Sequence, residues 1–139
     1  MKKIIFCVLF CLYAFYSCCV PINTERAAEF VTEHAESRSH CCCAWYVMRA
    51  MQAGGSTIGI LPAWAYAYVL PFYGFANVTE SINGHYEKGD IVVFPAVKGH
   101  PFGHIAMWNG KQWVSDFKQK SIICAKAYGN VKYNIYRNS

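Results

Sequence analysis

Three consecutive cysteines, Cys41-Cys42-Cys43, stand directly before an apolar run that reads as a helix from Cys43 to Met51. Good helix formers fill the run, and Gly54-Gly55 supplies its stop. Cys43 therefore falls at a helix N-terminus, where free backbone N–H groups and the helix dipole favour a thiolate. A thiolate held there is a nucleophile in waiting. The competing reading is a structural cysteine, buried or in a disulfide. The triplet is not a metal motif, because a zinc site needs ligands spaced along a loop. No metal or other cofactor is expected.

Residues 1–19 read as a signal peptide. Lys2 and Lys3 form the basic start, Ile4 to Tyr16 the apolar stretch, and Ser17 and Cys19 the small residues before a cut. That apolar stretch is too short to span a membrane comfortably, so no stable membrane insertion is expected after cleavage. The remainder, 20–139, is one domain's worth of chain with 17% aromatic and 55% apolar residues over the whole sequence. Four cysteines leave with the signal peptide. Of those that stay, Cys124 is the sole distant one, so on a secretory route it is expected to bridge to Cys41 or Cys42.

Removing Lys2 and Lys3 lowers the formal charge from +5 to +3, and the remainder is lopsided. Residues 20–90 carry four basic and seven acidic side chains; residues 91–139 carry seven basic ones and a single acid, Asp116. A basic C-terminal half suits an anionic surface such as a bacterial wall. The bland alternative is a solvated basic face.

Thr24 is placed to cap a helix over 25–37, and Pro62 to open a short helix that runs to Val69 and ends at Pro71. From residue 75 the period changes. Ile91–Phe94, 103–108 and 112–117 read as strands, with weaker ones at 120–124 and 133–137. Asn77-Val78-Thr79 is a glycosylation sequon, meaningful in a eukaryotic secretory route. Helices followed by an antiparallel meander argue for an α+β fold.

His104 follows Gly103 at a strand start. Alone it would be structural; paired with a helix-start cysteine it completes an acyl-transfer machine, the imidazole taking the thiol proton and returning it to the leaving amine. A third group should orient the ring. Asp116 is the only acid after Asp90. A connection that pairs residues summing to an even number would put His104 and Asp116 on one sheet face. That register also collects Ile105, Met107, Trp113 and Phe117 on the other face, so a bulge or longer turn is expected at Asn109-Gly110 despite its two-residue hairpin signature.

These blocks resemble a known superfamily. Cys43-Ala44-Trp45-Tyr46-Val47 is similar to the Cys-x-Trp-Tyr block of CHAP amidases. Lys88-Gly89-Asp90-Ile91-Val92-Val93-Phe94 and Gly103-His104-Ile105-Ala106-Met107 resemble the Gly-Asp strand and the His strand shared by CHAP and NlpC/P60 enzymes. The step from His104 to Asp116 matches the NlpC/P60 spacing of the third polar residue. Size, signal peptide and cysteine-rich block look most like type VI secretion amidase effectors and their domesticated homologues secreted by ticks. The resemblance implies a papain-like NlpC/P60 (CHAP-like) fold. It implies a secreted, monomeric, antibacterial cysteine amidase or endopeptidase of peptidoglycan, with Cys43, His104 and Asp116 as catalytic residues. It further implies cleavage at the D-alanine–diaminopimelate crosslink, and an immunity or inhibitor protein as partner in a bacterial setting. No nucleic-acid partner is expected. Cys42 stands where CHAP proteins carry Gln, which shifts the oxyanion role to the Cys43 N–H. The rival readings are a cysteine protease or acyltransferase of the same fold, and a non-catalytic disulfide-stabilised binding protein.

Overall fold

The computed structural model describes residues 21–139; the expected signal peptide lies outside the described residues. Helix α1 spans Thr24–His34. Its cap is Asn23 rather than Thr24: the Asn23 side chain accepts from the Arg26 N–H at 2.9 Å, and Thr24 is the first helical residue. Helix α2 spans Cys43–Ala53, closed by Gly54. A 3-10 turn at Ala63–Ala65 leads into α3, Tyr66–Val69. Pro71 does not end this segment. A second 3-10 turn, Leu70–Tyr73, accommodates it near its start, where a missing N–H costs nothing, and Gly74 at φ 83° terminates it.

Five strands follow among the described residues: β1 Phe75–Asn77, β2 Ile91–Phe94, β3 His104–Trp108, β4 Trp113–Val114 and β5 Asn134–Asn138. They form one antiparallel sheet in the order β1-β5-β2-β3-β4. The fold is α+β, as the helix-then-strand order implies. It is not a simple meander, because β5 returns to sit between β1 and β2. The segment 120–124 forms no strand, and β1 is a strand that the sequence reading does not include.

Alternation along the strands sorts their side chains into two cores. Ile91, Val93, Ile105, Met107 and Val114 pack with Val31, Val47, Met51 and other residues of α1 and α2. Val92, Phe94, Ala106, Trp113 and Ile135 pack on the opposite face with Tyr128 and the 78–86 and 122–133 segments. Burial on both faces explains the continuous apolar run of β2.

The β3–β4 register differs from expectation. Met107 pairs with Val114 and Trp108 with Trp113, so pairs sum to an odd number. The connection is longer than two residues, as expected, but it has four: Asn109 Oδ1 accepts from the N–H groups of Lys111 and Gln112, and the Asn109 N–H donates to the Gln112 carbonyl. This side-chain closure takes the place of the two-residue turn. Val114 thereby joins Ile105 and Met107 on the helix-facing side, and Trp113 stacks edge-on against Trp108 at 5.4 Å.

Asp90, 1% exposed, anchors the start of β2. Its two oxygens accept from Arg137 Nε at 2.8 Å and an Arg137 terminal nitrogen at 2.7 Å, and from the Glu87 N–H. Arg137→Ala leaves that carboxylate buried without its cation. The expected loss is about 3 kcal/mol, the low end for such pairs because Arg137 itself is partly solvated. Chemical denaturation of the two proteins measures it.

Candidate active site

Helix α2, which begins at Cys43, packs against strand β3, which begins at His104. Cys43 is the first residue of α2, with Cys42 as a cap that offers no side-chain hydrogen bond. The backbone N–H of Ile105, the residue after His104, lies on the side of the Cys43 thiol and favours the thiolate. Burial pushes this thiol up to about 11, and the Asp116 charge pushes the same way against the Ile105 and Ala44 N–H groups. The thiolate that a helix start favours is therefore not the resting form. Desolvation of the half-buried sulfur outweighs the dipole.

His104 opens β3 at 7% exposure. Burial lowers its imidazole to about 4, with Asp116 opposing the shift and His100 adding to it. The resting pair is thus neutral thiol and neutral imidazole. Gly103 makes the approach possible. It sits at φ 69°, and a side chain there would meet the Phe94 carbonyl at 2.4 Å and Trp64 at 3.2 Å.

The imidazole Nε2 lies 2.5 Å from the side-chain amide nitrogen of Gln119, a residue 2% exposed whose amide oxygen is buried without a hydrogen-bond partner. Gln119 is the residue that sequence reasoning passes over. It arrives because the chain reverses after β4: the Ser115 N–H donates to Phe117, Val114 bridges to Lys118, and the Gln119 N–H returns to Trp113.

Asp116 is fully buried, and its carboxylate faces the loop before α2. Oδ2 accepts from the His40 N–H at 2.6 Å, Ser39 Oγ at 3.1 Å and the Cys42 N–H at 3.3 Å, while Oδ1 accepts from Ser115 Oγ at 3.0 Å. The Asp116 carbonyl also accepts from the Glu36 N–H. Its hydrogen bonds thus shape the 36–42 loop, where Cys41 adopts a left-handed φ of 60°. Its charge reaches both Cys43 and His104, but the hydrogen-bond partner at the ring is Gln119.

All four cysteines among the described residues are free. The expected Cys124 bridge is not formed: Cys41 and Cys42 are exposed, whereas Cys124 is half-buried in the far core and close enough to Cys43 to feel its charge. Beside the thiol opens a groove of about 400 Å³ lined by residues that include Trp45, Ile60, Leu61, Pro62 and Phe102, with no charged side chain among its walls.

No protein-family model and no curated protein matches the chain. Two solved structures do. The native effector–immunity complex Tae3–Tai3 of type VI secretion from Ralstonia pickettii superposes with a TM-score of 0.76 at 32% identity, covering 84% of this chain and 99% of its counterpart. The selenomethionine form of that complex gives 0.73 at 33% identity, covering 81% and 99%. The α+β architecture built around the Cys43 helix and the His104 strand is thus that of a type VI effector. More narrowly, the chain belongs to the Tae3 effector family.

Proposed function

We propose that this protein is an antibacterial peptidoglycan amidase of papain-like, NlpC/P60 organisation, secreted and acting as a monomer through Cys43 and His104. The observation that carries the reading is the half-buried Cys43 thiol at the start of a helix packed on β3, the strand whose first residue, His104, has its ring beside the Gln119 amide. Membership of the Tae3 family directs that chemistry to the bacterial wall, and an immunity protein is the corresponding inhibitor.

In this mechanism the Gln119 amide is turned by 180° from its placement in the structure, which sets its nitrogen at His104 Nε2 and leaves its oxygen buried without a partner, so that the oxygen accepts from His104 Nε2–H. That fixes the tautomer and leaves the Nδ1 lone pair free. As the Cys43 sulfur attacks the amide carbonyl, Nδ1 takes the thiol proton. The neutral resting pair means that deprotonation accompanies attack rather than preceding it. The Cys43 N–H, free at the helix start, stabilises the oxyanion. His104 then protonates the leaving amine, the C–N bond breaks and a thioester remains. Water attacks the thioester, its proton passes to His104, and the sulfur leaves and recovers that proton. Asp116 holds the loop that aims Cys43. The uncharged groove beside the thiol accepts an alanine-like residue on the acyl side, which fits the D-alanine–diaminopimelate crosslink.

Two consequences can be read in solution. Hydrolysis requires unprotonated His104, so kcat/KM should fall only as pH drops toward about 4, not near the 6.5 of an ordinary imidazole. Alkylation of Cys43 by iodoacetamide in the free enzyme should accelerate as pH rises toward about 11. A plateau of alkylation from neutral pH downward would instead indicate a preformed ion pair. The substrate assignment is tested with purified crosslinked muropeptide dimers. Conversion to monomers, read by mass, supports crosslink cleavage; dimers shortened within a stem assign a different amide.

A further inference from the structure

The exposed large apolar side chains among the described residues are not scattered. Trp45, Ile60 and Phe102 rim the groove at Cys43, and Trp64, Tyr68 and Phe72 continue away from it along the helical 63–73 segment. The join is direct, since the Trp64 N–H donates to the Phe102 carbonyl at 3.1 Å. Trp64 lies in the first 3-10 turn, Tyr68 in the single α-helical turn that follows and Phe72 in the second 3-10 turn, so the three exposed rings come from consecutive turns of one helical segment. Trp64 and Tyr68 sit edge to face at 6.3 Å, an arrangement that restrains both rings before anything binds. Tyr68 is 72% and Phe72 84% exposed, so neither is explained by the core. A patch of this kind marks an interaction surface.

Charge narrows the occupant. From Ala50 to Thr79 the chain carries no Lys, Arg, Asp, Glu or His. Nothing in this stretch would pair with anionic lipid headgroups or with a charged peptide, and the cation recorded at the patch, the Arg49 guanidinium, lies over the Trp45 ring at the groove, 5.8 Å from its centroid. A neutral polymer with weakly positive C–H faces and hydroxyl edges fits better. Pyranose C–H groups lie on the electron-rich faces of aromatic rings, and the Tyr68 hydroxyl can bond to sugar hydroxyls or acetamido groups.

We propose that Trp64, Tyr68 and Phe72 form a docking track for the N-acetylated amino-sugar strand of the substrate. The inference rests on the peptidoglycan reading: stems are covalently attached to that strand, so a peptide seated in the groove at Cys43 brings its glycan alongside. The track would raise the local concentration of stems at the site without contacting the scissile amide.

The test separates binding from turnover. The inactive Cys43→Ala chain is titrated with a chitin hexasaccharide, which has the sugar but no peptide, and is sedimented with purified sacculi. Binding should fall at least tenfold when Tyr68→Ala and Phe72→Ala are added. In the active enzyme the same double substitution should slow sacculus digestion at least tenfold and leave cleavage of a sugar-free crosslinked peptide unchanged. Hexasaccharide binding without any hydrolysis by the parent would preserve the track and remove the amidase reading. Absence of hexasaccharide binding, or binding and sacculus digestion that ignore the double substitution, overturns the track. So does a double substitution that instead abolishes adsorption to lipid vesicles, or equal slowing on the sugar-free peptide.

Discussion

Cys43→Ala is expected to abolish peptidoglycan hydrolysis while leaving the fold intact. The substitution removes only a sulfur from a half-buried position, and Ile105 beside it keeps its place in β3. Without the sulfur no thioester forms. Cys41→Ala and Cys42→Ala should retain most activity, because both side chains are exposed. Sacculus turbidity assays on the three variants, with circular dichroism as the folding control, make the comparison. Activity that survives in Cys43→Ala but disappears in Cys41→Ala or Cys42→Ala would move the nucleophile.

The second large effect concerns what holds His104. Gln119→Ala should lower kcat roughly ten- to a thousandfold, less than the four orders of magnitude that a lost triad acid can cost, because a neutral amide orients the ring without adding charge. Gln119→Glu should restore much of the rate and move the acidic limb upward, since a carboxylate at the ring favours the imidazolium. Asp116→Asn acts differently. Its carboxylate accepts four hydrogen bonds, three of them from the loop before α2, and an amide can serve only part of them. It should cost on the order of 1–3 kcal/mol of stability, with activity lost through the loop. Thermal melts and pH profiles measured side by side distinguish the two roles. An Asp116→Asn enzyme with a parental melt but a displaced pH profile would return the ring-orienting role to Asp116.

Much of this site is legible in the sequence because its main parts follow local rules. Cys43 lies at a helix start because the apolar run after it is periodic and Gly54 closes it. His104 lies at a strand start because Gly103 supplies the left-handed turn and β-favouring residues follow. Gln119 is not legible, for its position depends on a chain reversal over 115–118 that no pattern marks, and an amide side chain signals nothing by itself. The β3–β4 register escapes for a related reason: Asn109 closes the turn with its side chain, a choice made by two hydrogen bonds rather than by hydrophobic alternation. The ionisation state of Cys43 depends on burial, a tertiary quantity that outweighs the helix-terminus argument. The free Cys124 has the same origin, since sequence distance alone could not show that it faces the interior while Cys41 and Cys42 face solvent.

The central claim is that the reaction at this site is amide hydrolysis in the bacterial wall. Counting new chain ends in purified sacculi treated with the parent protein tests it most directly. The account predicts free amines released in step with carboxylates and no increase in reducing sugar ends. New reducing ends without new amines, or sacculi left unchanged by folded protein, would contradict it.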